Sequence, residues 1–214
     1  MSVVVALQGS DAAVVASDGR RFEPNGEARD DYSKAFRIPT VGVLGGHVGL
    51  LEFAGQSIPA WLQAIALADV ATLDEFALAA QLLLETEMTR IPDGEVALQH
   101  RVTDIVLVGH SQLQDRQSPT AIRAVVLRPD TDAGCVRGEI REFVGYCVAG
   151  DDDAQAAIHR YIATLGLDLQ GLQNRRLQRQ ARTLISVGIQ ASGDSPHFPG
   201  VASCGGPASL VVMT

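Results

Sequence analysis

Residues 2–18 read SVVVALQGSDAAVVASD, two apolar runs set on either side of Gly9-Ser10-Asp11. The β-branched valines Val3, Val4, Val5, Val14 and Val15 suit a pleated strand. Gly, Ser and Asp between the runs are turn formers, so the stretch predicts a strand–turn–strand unit. Chain ends usually fray unless something ties them down. Here the first strand is expected to begin immediately after Ser2, which fixes that residue to the core.

Working outward, a polar segment, FEPNGEARDDY, separates this unit from a second strand pair, KAFRI and VGVLGG, around Pro39-Thr40. From Val48 onward Leu50, Leu51, Ala54, Ile58, Trp61, Leu62 and Ile65 keep a helical stripe, with a kink or break expected at Pro59. Thr72 and Glu75 form a capping-box signature ahead of LDEFALAAQLLLETEM, the second helix. Strands are expected in TDIVLVGH, AIRAVVLRP and GEIREFVGYCVAG. Helices follow in DDAQAAIHRYIATLG and from about Leu172 to Gln190, then a Gly/Pro-rich loop and a last strand, SLVVMT. The first strands are apolar enough to be covered by helices. The order predicts an α+β protein, with sheets packed face to face and helices outside. No repeat or dividing linker is visible, so residues 1–214 are read as one domain.

With 46% hydrophobic and 20% charged residues the composition is that of a globular protein. A net charge of −8 argues against a nucleic-acid surface, which needs clustered cations. The basic cluster Arg175, Arg176, Arg179 and Arg182 reads as a solvated helix face. Cys135, Cys147 and Cys204 are odd in number and without a CxxC pair, which fits reduced thiols in a cytoplasm. No apolar run approaches the roughly 20 residues of a membrane span, and no signal peptide is visible.

If Met1 is removed, as the small Ser2 side chain favours, one residue presents both a hydroxyl and a free α-amine. An α-amine has a pKa of about 7.7–8.0, so it can serve as the base for its own hydroxyl. The downstream pattern raises the weight of this reading. DAAVVASDGRR, then YSKAFRI, then VGVLGG resembles the start of proteasome β-type subunits and bacterial proteasome-like peptidases, of the N-terminal nucleophile hydrolase superfamily. The matching residues are Ser2, Asp18, Lys34 and Gly45-Gly46, with Arg20 matching a frequent family arginine.

The resemblance implies a four-layer αββα sandwich and a catalytic set of Ser2, Asp18, Lys34, Gly46 and Asp151. Lys34 would place an ammonium beside Ser2, and Asp18 would hold Lys34 charged. Gly46 would offer its N–H to an oxyanion at the start of the first long helix. Leu44 would line the pocket for the residue before the cut, and Phe22 the peptide groove. The implied reaction is amide hydrolysis of a peptide or unfolded protein inside a homo-oligomeric ring, without cofactor, and with an ATPase unfoldase as a conceivable partner.

Each residue also has a structural alternative. Asp18 could close a turn before Gly19, Lys34 could be a solvated strand end, and Gly45-Gly46 could simply start a helix. Two departures stand out. Asp151 occupies the place of a family serine, where it could instead cap a helix. Val201 and Cys204 replace a later aspartate and serine. Cys204 reads as a buried thiol, and Asp194 and His197 as loop residues. A catalytically silent scaffold subunit and a small-amide hydrolase on the same fold are the competing readings.

Overall fold

The computed structural model of the chain describes residues 2–22, 27–50, 52–66, 70–195 and 198–214. Met1, Leu51 and His197 lie outside the described residues, as do the side chains of Phe22 and Val201.

The opening stretch forms β1 (Val3–Gln8) and β2 (Ala13–Ser17), antiparallel, with Val4 opposite Ser17 and Gln8 opposite Ala13. Both strands are buried on both faces, and the period of two sorts their side chains. Val3, Val5, Leu7, Val14 and Ala16 join one apolar cluster, while Val4, Ala6, Ala13 and Val15 join another. The second pair is β3 (Ala35–Ile38) and β4 (Val43–Gly49).

Two helices follow, α1 (Ile58–Ile65) and α2 (Leu73–Arg90). The expected helix from Val48 is therefore not formed, because β4 runs on through Val48 between two neighbouring strands. Gly49 has φ +98°, and Ala54 and Gly55 have φ 49° and +72° in a small hairpin, Glu52–Phe53 against Gln56–Ser57. Such left-handed backbone ends regular structure. Pro59 sits in the first turn of α1, behind the cap Ser57, where a missing N–H costs nothing. Thr72 and Glu75 close the expected capping box at 3.1 Å in each direction.

The chain continues through β5 (Thr103–His110), β6 (Thr120–Asp130) and β7 (Cys135–Phe143). It then turns at Val144-Gly145, with Gly145 at φ +80°, into β8 (Tyr146–Gly150). GEIREFVGYCVAG is thus two strands, and they belong to different sheets. Next come α3 (Asp152–Leu165), α4 (Asn174–Ala191) and β9 (Ser209–Met213).

The main strands make two antiparallel sheets, ordered β8-β1-β2-β9 and β7-β6-β5-β4-β3. One apolar cluster joins α1 and α2 to the five-stranded sheet through Leu62, Phe76, Leu84, Ile105 and Leu107. A second joins α3 and α4 to β1 and β2 through Ile158, Leu177, Leu184 and Val5. The third contains residues from both sheets, among them Val4, Val15, Val106 and Val108. Among the described residues the fold is mixed α+β, with two main antiparallel sheets and four α-helices, and Ser2 lies at the edge of its core.

Candidate functional site

The β1–β2 register brings Ser2 and Asp18 to the same end of the hairpin. Val3 N donates to Asp18 Oδ1 at 3.0 Å, and Asp18 N donates back to Val3 O at 3.1 Å. Asp18 Oδ2 accepts from Arg20 N at 3.3 Å and Gly205 N at 3.1 Å. Its carboxylate, fully buried, is thereby satisfied by main-chain donors before any cation is added.

The cation is Lys34, the residue before β3. Its main-chain N donates to Ser17 Oγ at 3.2 Å, which aims the side chain back along β2. Lys34 Nζ lies 3.0 Å from Asp18 Oδ1 and 3.5 Å from the Asp18 carbonyl, and donates to the Arg20 carbonyl. Three acceptors match the three donors of an ammonium. The pair is 1% and 0% exposed. Burial lowers the Lys34 pKa from its ordinary value, against the opposing pull of Asp18. The solvated strand end and the plain Asp-Gly turn are thus replaced by a buried ion pair whose carboxylate accepts from Val3 N.

The far side of the site comes from the end of β8. Extending the β1–β8 register, Val3 opposite Gly150, sets Ser2 opposite Asp151. Asp151 N donates to Ser2 O at 2.9 Å. Asp151 Oδ1 caps α3 by accepting from Ala154 N at 3.0 Å, so the helix-cap reading holds. The same carboxylate reaches further: Oδ2 accepts from Ser203 Oγ at 2.6 Å, both residues being buried.

Ser203 is the residue that sequence reasoning missed. Attention to Cys204-Gly205-Gly206 passed over the hydroxyl immediately before them, and only the fold brings Ser203 to Asp151. Arg20 secures this segment, pairing with Asp30 at 2.7 and 2.8 Å and donating to Ala202 O at 3.1 Å. A Cβ on Gly205 would lie 2.3 Å from the Arg20 guanidinium carbon, so a larger residue there would displace the guanidinium from Asp30 and Ala202. Cys204 is 1% exposed. Burial first, then the charges of Asp18 and Asp151, push its thiol up to about 12, which leaves it protonated and unreactive.

Two expected residues are placed elsewhere. Gly46 lies inside β4, paired with Ala35 on one side and Val106 on the other, and not at a helix start. A Cβ there would sit 2.6 Å from Val4 Cγ1 and 2.9 Å from Val15 Cγ1. This glycine admits the close approach of the two sheets, and its N–H belongs to a strand flanked on both sides. Leu44 is 1% exposed within the inter-sheet cluster. Phe22 is in a two-residue strand, and its side chain lies outside the described residues. Asp194 is exposed in a short hairpin strand.

His47, next along β4, is fully buried, and among the described residues neither ring nitrogen has a hydrogen-bond partner. Tyr32 and Phe36 meet its ring edge-on at 6.2 and 5.9 Å. Burial, with a smaller contribution from the Lys34 charge, lowers its pKa from 6.5 to about 3. Clefts of about 300 Å³ between α3 and α4, and about 400 Å³ beside the β1–β2 turn, lie away from Ser2.

No family model and no curated protein matches the sequence. Solved structures do. Anbu (ancestral beta-subunit) from Yersinia bercovieri is 18% identical with a TM-score of 0.64, over 98% of this chain and 80% of that one. A Gly-1 mutant of Anbu from Hyphomicrobium sp. strain MC1 is 14% identical, also at 0.64, over 100% of this chain and 81% of that one. The chain shares the fold of these Anbu structures. Among the described residues no helix is long and apolar enough to cross a membrane.

Proposed function

We propose that this protein is an N-terminal nucleophile amidohydrolase, with Ser2 as its first residue after Met1 is removed. The observation that carries the proposal is the buried Lys34–Asp18 pair, whose carboxylate also holds Val3 N, one residue from the nucleophile. Ser2 Oγ attacks an amide carbonyl while its α-amine takes the hydroxyl proton. The tetrahedral intermediate collapses, the leaving amine takes that proton, and an ester on Ser2 remains. Water then attacks the ester, with the α-amine again as base, and frees the acid and Ser2. The Lys34 ammonium favours the oxyanion character of Oγ and lowers the proton affinity of the amine.

The three apolar clusters support a four-layer αββα sandwich in one domain. The proteasome-like fold supports a peptide substrate, a homo-oligomeric ring and a cytoplasmic setting, with an ATPase unfoldase as a further partner. A small-amide substrate is favoured instead by one observation, the 6% exposure of Ser2.

The test is covalent capture by an electrophile selective for N-terminal hydroxyl nucleophiles, followed by turnover of peptide and small-amide libraries. A Ser2 adduct with peptide turnover supports the peptidase, and an adduct with small-amide turnover alone supports the second substrate class. Processed protein that forms no adduct overturns both and leaves a scaffold subunit.

A further inference from the structure

Lys34 is the chain's single lysine among 17 Lys and Arg residues, so every other strongly basic side chain is a guanidinium. An ammonium is a compact charge whose proton affinity burial can tune, whereas a guanidinium stays charged. The main chain that carries this one ammonium has its own unusual anchorage. Extending the β3–β4 register, Ala35 opposite Gly46, sets Lys34 opposite His47. His47 N donates to Lys34 O at 3.2 Å, which is half of a ladder pair. The other half is diverted, and Lys34 N donates to Ser17 Oγ at 3.2 Å instead of returning to His47 O.

Ser17 is the exception on its strand. By the period of two it shares a face with Ala13 and Val15, both in the inter-sheet cluster, and it is fully buried. A hydroxyl at such a position costs free energy unless it is hydrogen-bonded. Across the β2–β9 ladder Ser17 faces Ser209, and their Oγ atoms are 3.0 Å apart. Ser33 Oγ lies 3.0 Å from Ser209 Oγ and 2.9 Å from Ala35 O, with one proton to give to either. The three hydroxyls thus run from Lys34 N, past the ends of β2 and β9, to the carbonyl of the residue after Lys34.

We propose that Ser17, Ser209 and Ser33 form a positioning group for Lys34, fixing its main chain so that its ammonium meets Asp18. The consequence for catalysis rests on the reading of Lys34 as part of a hydrolase site. Ser17 and Asp18 are consecutive, so the end of β2 grips Lys34 twice, at its main-chain N–H and at Nζ. Between those points lies a flexible four-carbon stem, whose ordering costs entropy. With the main chain fixed, only the stem remains to be ordered. The Ser209 contact fixes the Ser17 rotamer, and with it the acceptor that Lys34 N meets. Ser33 holds Ser209 from the other side, and all three act through Lys34.

The test labels lysine with nitrogen-15 in the full chain, where the single Nζ gives one resonance, and follows exchange of its protons with water. Buried, hydrogen-bonded protons exchange slowly, and a looser hold speeds them. Ser209→Thr and Ser209→Val share a shape that suits a strand and differ in the hydroxyl. Ser209→Val is expected to speed Nζ exchange at least about tenfold, and Ser209→Thr to keep it near the wild-type rate. Ser33→Ala, at an exposed residue, is expected to act in the same direction by a smaller factor. Wild-type exchange in folded Ser209→Val, or in Ser33→Ala where the former does not fold, overturns the positioning group even if the melting temperature falls. This readout needs neither Met1 removal nor turnover. In the chain beginning at Ser2, covalent capture should slow about tenfold in Ser209→Val at unchanged initial affinity. Capture at the wild-type rate alongside faster exchange overturns the catalytic consequence. If wild type is not captured while exchange still follows the hydroxyl, the hydrolase reading fails and the positioning group stands.

Discussion

Lys34 and His47 are both buried basic side chains, yet the fold treats them oppositely. Lys34 has three acceptors, one of them the Asp18 carboxylate, which favour its charged form against the burial that lowers its pKa. Removing it leaves Asp18 buried without a cation, a change that costs about 3–5 kcal/mol in typical buried pairs. Here the cost should fall at the low end, because three main-chain N–H groups still serve that carboxylate. Lys34→Ala is expected to remain folded and to lose at least about 100-fold in the rate of Ser2 capture. Capture at the wild-type rate would remove Lys34 from the mechanism. His47 has no hydrogen-bond partner and stays neutral in the native state down to a pKa of about 3. Once unfolded it titrates near 6.5, so between these values the unfolded chain binds a proton that the native one does not. This contribution is fully present above pH 6.5 and is lost as pH falls, at up to about 1.4 kcal/mol per pH unit. His47→Leu removes it. Its urea midpoint should decline less than the wild type's between about pH 6 and 4, and identical declines would contradict the burial argument.

Strand ends and glycines decide where the site residues stand. Gly150 has φ +119°, and a Cβ there would lie 1.8 Å from Ser2 O. Gly150→Ala must therefore part β8 from β1 at the site, and strain of this kind costs about 1–3 kcal/mol. The expected result is a lowered melting temperature with loss of Ser2 capture, and undiminished capture would show that the ladder end is not needed. Thr72→Ala, at the distant α2 cap, is the contrast: a loss of about 1 kcal/mol with capture unchanged. Much at this scale was legible. The β1–β2 hairpin, the α2 cap and the last strand follow from period, turn residues and capping chemistry. Asp18 and Lys34 were legible through spacing that resembles a family, since either alone would be an ordinary surface residue. The stretch from Val43 to Ile65 was not. Its apolar spacing satisfies both a strand followed by a turn and a helix, and the left-handed backbone at Gly49, Ala54 and Gly55 is what separates them. Gly46 misled for a related reason, because a glycine needed for sheet-to-sheet contact looks the same in sequence as one needed for a ligand. Ser203 was illegible because its partner is 52 residues away and chosen by the fold.

Across the whole molecule, apolar side chains remain uncovered on helical surfaces. Leu78 and Leu82 of α2 are 48% and 54% exposed, and Leu165 at the end of α3 is 54% exposed beside the α3–α4 cleft. Self-assembly would cover such surfaces, and the proposed ring predicts a discrete multimer by mass photometry. Leu78→Glu combined with Leu82→Glu is expected to reduce its mass without lowering the melting temperature by more than a few degrees. A wild-type monomer at micromolar concentration would contradict the ring. Ser2 is buried at the edge of the core, and as the proposed nucleophile it is the residue where the account is most exposed. The direct measurement is intact mass and peptide mapping of the protein from its own host, after exposure to an electrophile that captures N-terminal hydroxyl nucleophiles. The account predicts a chain beginning at Ser2 that carries a single adduct on that residue. A chain that retains Met1, or a processed chain whose adduct sits on Cys204, would contradict it.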